Sequence, residues 1–330
     1  MTDAPRTPTS ATVTVQFVLC GIVWGSSFLF MKVGLEGLSP AQVAWSRLVL
    51  GAITLGAFVA IRRERLPRSI RVWGHMLVLG ISFCVLPFLL FSWAQQHVTS
   101  GLASIYNATT PIMTAVMAGL LFRVEKLRPV QLTGILIGML GVGVIIAPWQ
   151  GLDLAQSIPA QVAMLGATAC YGFSLAYMRR FVPRTGMSAL TFSFLNIGLG
   201  AAVMVVLTPA IALGPVSLTP PVVLSMIALG CLGTGVVYIW NQNTLRAWGP
   251  TRASTVTYIT PIVGVALGMT VLQEPLTWNE PVGALVVFAG IVLAQDRLRA
   301  LGRRRDRIAE ASGPSGAPAI RPGARPAGRA

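Results

Sequence analysis

Apolar runs long enough to cross a lipid bilayer make up almost all of this chain, and the gaps between them alternate between arginine-rich and arginine-free. The runs cover approximately 13–33, 40–61, 72–93, 99–122, 129–147, 158–178, 188–208, 221–244, 252–272 and 279–295. At 1.5 Å rise per residue, a helix needs about 20 residues to cross about 30 Å of hydrocarbon. The pattern therefore predicts an all-α integral membrane protein with ten transmembrane helices. Little is left over for a soluble domain.

The gaps set the orientation. The first holds Lys32 beside Glu36, whereas the second carries Arg62, Arg63, Arg65, Arg68 and Arg71. The third has no Lys or Arg, the fourth has Arg123, Lys126 and Arg128, and the fifth has only Asp153. Arg179, Arg180 and Arg184 fill the sixth, the seventh is uncharged, the eighth has Arg246 and Arg252, and the ninth has Glu274 and Glu280. Basic loops stay on the cytoplasmic side, so the even gaps and both termini are expected inside the inner membrane, N-in and C-in. This also explains the formal net charge of +15 on a chain with only 11 % charged residues. The basic residues sit in inner loops and tails, where they orient the protein and attract anionic headgroups, so the lipid bilayer and not nucleic acid is the expected partner.

Cys20, Cys84, Cys170 and Cys231 all fall within apolar runs with no metal-ligand spacing, and read as small packing residues. No cofactor or metal site is expected. The first run is of full spanning length and lacks a cleavage-type ending, which predicts a retained helix. The tail from Arg303, rich in Gly, Pro, Ala and Arg, cannot bury enough apolar surface to fold, and is read as a disordered topological anchor or a lipid-surface tether.

The chain repeats itself. At an offset of 150, Met76, Leu79, Gly80, Ala103, Ser104, Thr110, Pro111 and Ile112 match Met226, Leu229, Gly230, Ala253, Ser254, Thr260, Pro261 and Ile262. After one dropped residue, Glu125, Leu127, Gly134 and Gly141 match Glu274, Leu276, Gly283 and Gly290. Earlier, WGSSFLFMK (Trp24 to Lys32) lies over YGFSLAYMR (Tyr171 to Arg179). Five spans per half is an odd number, so the second half starts on the opposite side and the repeats are inverted, as in many secondary transporters. The expected division is an N-terminal tail (1–12), a first repeat (13–147), an external loop (148–157), a second repeat (158–296) and a basic cytoplasmic tail (297–330).

From about residue 15 to 295 the chain resembles the EamA-type family of the drug/metabolite transporter superfamily. The resemblance rests on WGSSF in the first run, SPAQVAWSR leading to Arg47 in the second, and two copies of a Pro-then-Glu-then-Gly module, at 110–146 and 260–294. It implies two five-helix repeats, a central cavity for a small-molecule substrate, and export of small metabolites or drugs. The motifs say almost nothing about which substrate.

Arg47 is the charge placed well inside a span. Such a residue usually faces a bundle interior or a wet cavity, and here it is either structural or an anchor for an anionic group. Tyr238, Asn241 and Gln242 share one helical face in the eighth run, either lining a cavity or bonding helix to helix. Tyr106, Asn107 and Pro111 in the fourth run pair by repeat with Tyr258 and Pro261 in the ninth. Paired helix breaks point to a binding region, though a proline kink alone has the same signature. Trp24 and Tyr171, near mid-span, enclose a substrate or simply pack. The predicted cavity set is Trp24, Tyr106, Asn107, Tyr171, Tyr238, Asn241 and Tyr258. Glu125 and Glu274 lie at the membrane edge and read as caps or ion-pair partners, since a proton relay needs acids within spans. The function expected is export of a small, amino-acid-like organic metabolite by alternating access. Multidrug efflux is the nearest rival, although no deep acid is present to attract cations. An enzyme lacks clustered catalytic groups or metal ligands, and a channel lacks a ring of charge or a filter loop.

Overall fold

Gly51 and Gly200, one in each half of the chain, make the same contact with opposite halves, and this pair of contacts organises the centre of the molecule. The computed structural model describes residues 10–124, 128–146, 154–182, 187–253 and 256–294. Glu125, Asp153 and the tails beyond these bounds lie outside the described residues, as do all the basic residues assigned to the C-terminal arm. Helices account for nearly all of what is described. They are α1 (Ser10–Gly34), α2 (Pro40–Ile61), α3 (Ile70–Ala94), α4 (100–121), α5 (Pro129–Ile146), α6 (Leu154–Phe181), α7 (Ala189–Ile211), α8 (220–253), α9 (Val256–Val271) and α10 (Asn279–Ala294).

Seven of these, α1, α2, α3, α5, α6, α7 and α8, are long and apolar enough to cross a membrane by themselves. The other three fall short of the expected uniform set for local reasons. α4 divides into Ser100–Asn107 and Thr110–Val116, with Pro111 in the first turn of the second piece, where its missing N–H is harmless. α9 and α10 have 16 residues each. Pro261 was expected to break its helix as Pro111 does, but it lies buried inside the continuous α9. α8 runs on past the predicted end of its apolar stretch to Ala253, although the segment after Tyr238 contains poor helix formers, Asn241, Asn243, Gly249 and Pro250 among them.

The start of α2 is fixed locally. Ser39 accepts from the Gln42 N–H (3.3 Å) while the Gln42 side chain accepts from the Ser39 N–H (2.8 Å), a reciprocal cap followed by Pro40 at the first helical position. Ser188 caps α7 from one side, its hydroxyl accepting from the Thr191 N–H (3.0 Å). Aligning these two caps sets α2 over α7 at an offset of 149, placing Gly51 over Gly200 and Arg47 over Asn196.

Both α3 and α8 widen into π-helical turns, at Gly80–Val85 and Ala228–Val236, beginning within two residues of repeat-related positions. A Cβ on Gly51 of α2 would sit 2.7 Å from the Thr234 side chain and 3.4 Å from the Gly230 carbonyl of α8. A Cβ on Gly200 of α7 would sit 3.1 Å from the Gly80 carbonyl and 3.4 Å from Cys84 Cβ of α3. Cys84 and Thr234, like Gly80 and Gly230, are repeat partners, so each contact maps onto the other. The same reciprocity holds at α5 and α10, where Gly134 meets Gly290 and Ala294 while Gly141 meets Gly283 and Val287. Backbones this close leave no room for side chains, the usual route to packing where no hydrophobic effect drives helices together. The outward faces carry Ile53, Leu136, Leu140, Val206 and Leu285, all exposed, as a lipid-facing surface requires.

Candidate functional site

Arg47 points from α2 toward the π-helical turn of α8 and is 8 % exposed. Its Nε donates to Thr234 Oγ1 at 2.9 Å, and the Thr234 hydroxyl donates onward to the Leu229 carbonyl at 3.0 Å. That carbonyl lies five residues back, a reach the wider turn permits. Nη1 donates to the Met31 thioether of α1 at 3.5 Å, a weak acceptor. The Phe88 ring of α3 covers one face of the guanidinium, 3.7 Å from Cζ to the ring centroid. Three helices besides α2 thus converge on one charge, and among the described residues no carboxylate pairs with it.

Around it stand three of the aromatics singled out from the sequence. Tyr171 and Tyr238 lie close enough to Arg47 to interact electrostatically with its charge. Tyr171 stacks on Phe91 (6.2 Å) and meets Phe83 edge-on (5.2 Å), while Trp24 meets Tyr238 edge-on at 6.0 Å. Both tyrosines are half-buried, and neither hydroxyl has a hydrogen-bond partner among the described residues. Below Tyr238 on the same face of α8, Asn241 and Gln242 are half-buried and also unpartnered there. Since none of these groups is among the fully enclosed polar atoms left without a partner, each borders open space. Asn243 instead points aside, donating to Gln16 of α1 at 3.3 Å.

The remaining predicted residues do not join this group. Tyr106 is fully buried, its hydroxyl donating to Gln161 of α6, so it lines no accessible space in this conformation. Tyr258 meets Phe288 of α10 edge-on at 5.7 Å, and Asn107 is half-buried where the first piece of α4 ends. Tyr106 and Asn107 belong to the first piece of α4 and Tyr258 to the first turn of α9, and which side chains of these two helices reach the centre depends on helix placement and rotation, which the spacing within one run does not fix. A cleft of about 390 Å³ lies instead between α2, α7 and α8, lined by Gln42, Trp45, Thr208 and Met226 among others and containing none of the predicted set. Its polar groups are already engaged: Trp45 donates to Thr208 (2.9 Å), and Gln42 to the carbonyls of Ala212 and Gly214.

Thr234, Met31, Phe88 and Gln161 did not stand out in the sequence. Gln161 had the signal that was needed, an amide in an apolar run. The other three had none, since Thr, Met and Phe are ordinary residues of membrane helices.

The end of the molecule expected to face outward is held by two charges from different helices. Lys32 of α1 donates to the carbonyls of Gln95 (2.6 Å) and Val98 (2.8 Å) in the turn after α3. Glu274, in the loop after α9, accepts from the Ser100 N–H (2.7 Å), the Ser100 hydroxyl (2.8 Å) and the Gly101 N–H (3.2 Å) at the start of α4. A carboxylate there meets the positive end of the helix dipole, so Glu274 is a cap supplied from the other half of the chain. Among the described residues, no group of three or more His, Cys, Asp or Glu side chains is arranged to hold a metal.

Comparison with known proteins agrees with this layout. The family described as "EamA-like transporter family" matches the chain twice, over residues 13–147 and 158–295. The "Uncharacterized inner membrane transporter YedA" of Escherichia coli (strain K12) is 26 % identical, with 82 % of this chain and 87 % of that one covered. The "Probable amino-acid metabolite efflux pump" of Salmonella typhimurium is 28 % identical over 90 % of this chain and 97 % of its own length. A solved crystal structure covers 89 % of this chain and 99 % of its own, with a TM-score of 0.60 at 17 % identity, a likeness of fold alone.

Proposed function

The chain belongs to the EamA-like transporter family and is a multi-pass membrane transporter rather than an enzyme; from that premise we propose that it exports a small, amino-acid-like organic metabolite across the cytoplasmic membrane by alternating access. The observation that carries this reading is the reciprocity of the two halves. Gly51 on Gly230 and Gly200 on Gly80 are one contact made twice, as two inverted five-helix repeats require. The separate family matches to 13–147 and 158–295 support the same division, and the alternation of arginine between gaps supports ten crossings with both termini inside. A substrate held between the halves is then exposed to one side or the other as they rock.

The cargo class is supported by the description of the Salmonella relative as an amino-acid metabolite efflux pump and by the chemistry at the centre. A guanidinium, two phenols and two amides, with spare hydrogen-bonding capacity, suit a small polar organic molecule. Metabolites inside and outside cells that carry or lack the chain supply the test. Export predicts at least one amino-acid-like compound enriched in the medium and depleted within. Identical profiles under amino-acid loading would overturn the proposal.

A further inference from the structure

Arg47 leaves a chemical question that its own neighbours do not answer. A guanidinium offers five N–H donors, and here one goes to a hydroxyl and one to a thioether. Nη2 donates to nothing among the described residues, yet it is not one of the enclosed polar atoms lacking a partner, so it borders open space. A charge at membrane depth is normally paired or solvated. This one has Phe88 against one face and the half-buried hydroxyls of Tyr171 and Tyr238 nearby, but no carboxylate. Its counterpart in the other repeat is the neutral Asn196, whose side chain accepts from the Cys84 thiol at 3.7 Å. The fold therefore accommodates a neutral residue at this position, and a structural requirement of the repeat does not account for the charge.

Building on the transport reading above, we infer that the Nη2 edge of Arg47 is the receptor for a carboxylate of the transported molecule. Thr234 fixes the guanidinium through Nε, and Phe88 holds its plane, so the fork is pre-oriented and one edge stays free. A single positive charge balances a monoanionic carboxylate, whereas a phosphate carries about −1.5 to −2 and would leave excess charge uncompensated. Lys32 of α1 is already committed to two backbone carbonyls. The substrate class is thus a small monocarboxylate, amino acids and their N-acyl derivatives included, and its arrival supplies the counter-charge that the protein lacks.

The experiment uses the full chain, purified in detergent and reconstituted into liposomes, with matched pairs that differ only at the acid. N-acetyl-leucine is set against N-acetyl-leucinamide, and phenylalanine against phenylalaninamide. Thermal midpoint reads binding, and counterflow reads transport. The carboxylate of each pair is expected to bind and be carried about tenfold or more better than its amide, the scale of one charge-assisted hydrogen-bonded contact. R47Q should erase that preference, and R47K, which keeps charge without the fork, should weaken it. The wild-type comparison needs no variant, so misfolding of R47Q leaves the test intact. Equal handling of acid and amide by the wild type would leave the transporter reading standing and remove the carboxylate site. If neither member of either pair binds or moves, the amino-acid-like cargo itself falls, and the site with it.

Discussion

At the residue scale, what a side chain meets decides its role more than its residue type does. Tyr106 and Tyr171 are both tyrosines inside predicted spans, but one is sealed against Gln161 and the other is half-open beside Arg47. Tyr106→Phe removes the buried hydrogen bond to Gln161, so we expect a stability loss of about 0.5–1.5 kcal/mol, read as a lower thermal midpoint in detergent. Transport per folded molecule should hardly change. The glycines separate in the same way. A side chain at Gly134 would collide with the α10 backbone, 2.3 Å from the Ala294 nitrogen, whereas Gly143 has nothing within 4 Å. Gly134→Val should therefore reduce the amount of folded protein sharply, and Gly143→Ala should be neutral or slightly stabilising through helix propensity. Equal yields from the two variants would contradict the packing described for α5 and α10. A spacing of three or four residues in the sequence cannot tell which glycine of α5 meets a neighbour.

At the element scale, much of the layout could be read in advance. The run predicted at 40–61 is the helix Pro40–Ile61, and the break near Pro111 is real. What escaped were features that depend on hydrogen-bond register. The π-helical turns of α3 and α8 have no compositional signature, yet one of them positions Thr234 under Arg47. Pro261 looked like Pro111 in sequence but sits within an unbroken helix. Glu274 was legible as a cap, although the helix that it caps, α4 of the other half, was not. Replacing Glu274 with Gln removes the charge facing the α4 N-terminus and one of its acceptor oxygens. Together with Lys32 it holds the turn between α3 and α4, so that turn should loosen locally. A cysteine placed at His97, in a background without native cysteines, should react faster with an impermeant thiol reagent added outside. An unchanged rate would mean that Lys32 alone suffices.

For the whole molecule, the alternation of arginine gives the most direct check. Reporter fusions after Arg68, Arg128, Arg184 and Thr251 should read cytoplasmic, and those after Glu36 and Pro215 external. A consistent external reading after Arg68 would sink the ten-span arrangement and the inverted repeat with it.

The α5–α10 seam also constrains the order in which the molecule can be made. α5 leaves the ribosome with its glycine face bare, and the helix that covers this face is the last of the described elements to be synthesised. Until α10 inserts, the first half carries an open seam in the lipid, with no side chains to fill it. The two halves are therefore not independent folding units, despite their likeness. A chain truncated before residue 279 should insert its early helices, fail to close, and be removed by membrane quality control, whereas supplying the missing helix in trans should rescue it in part.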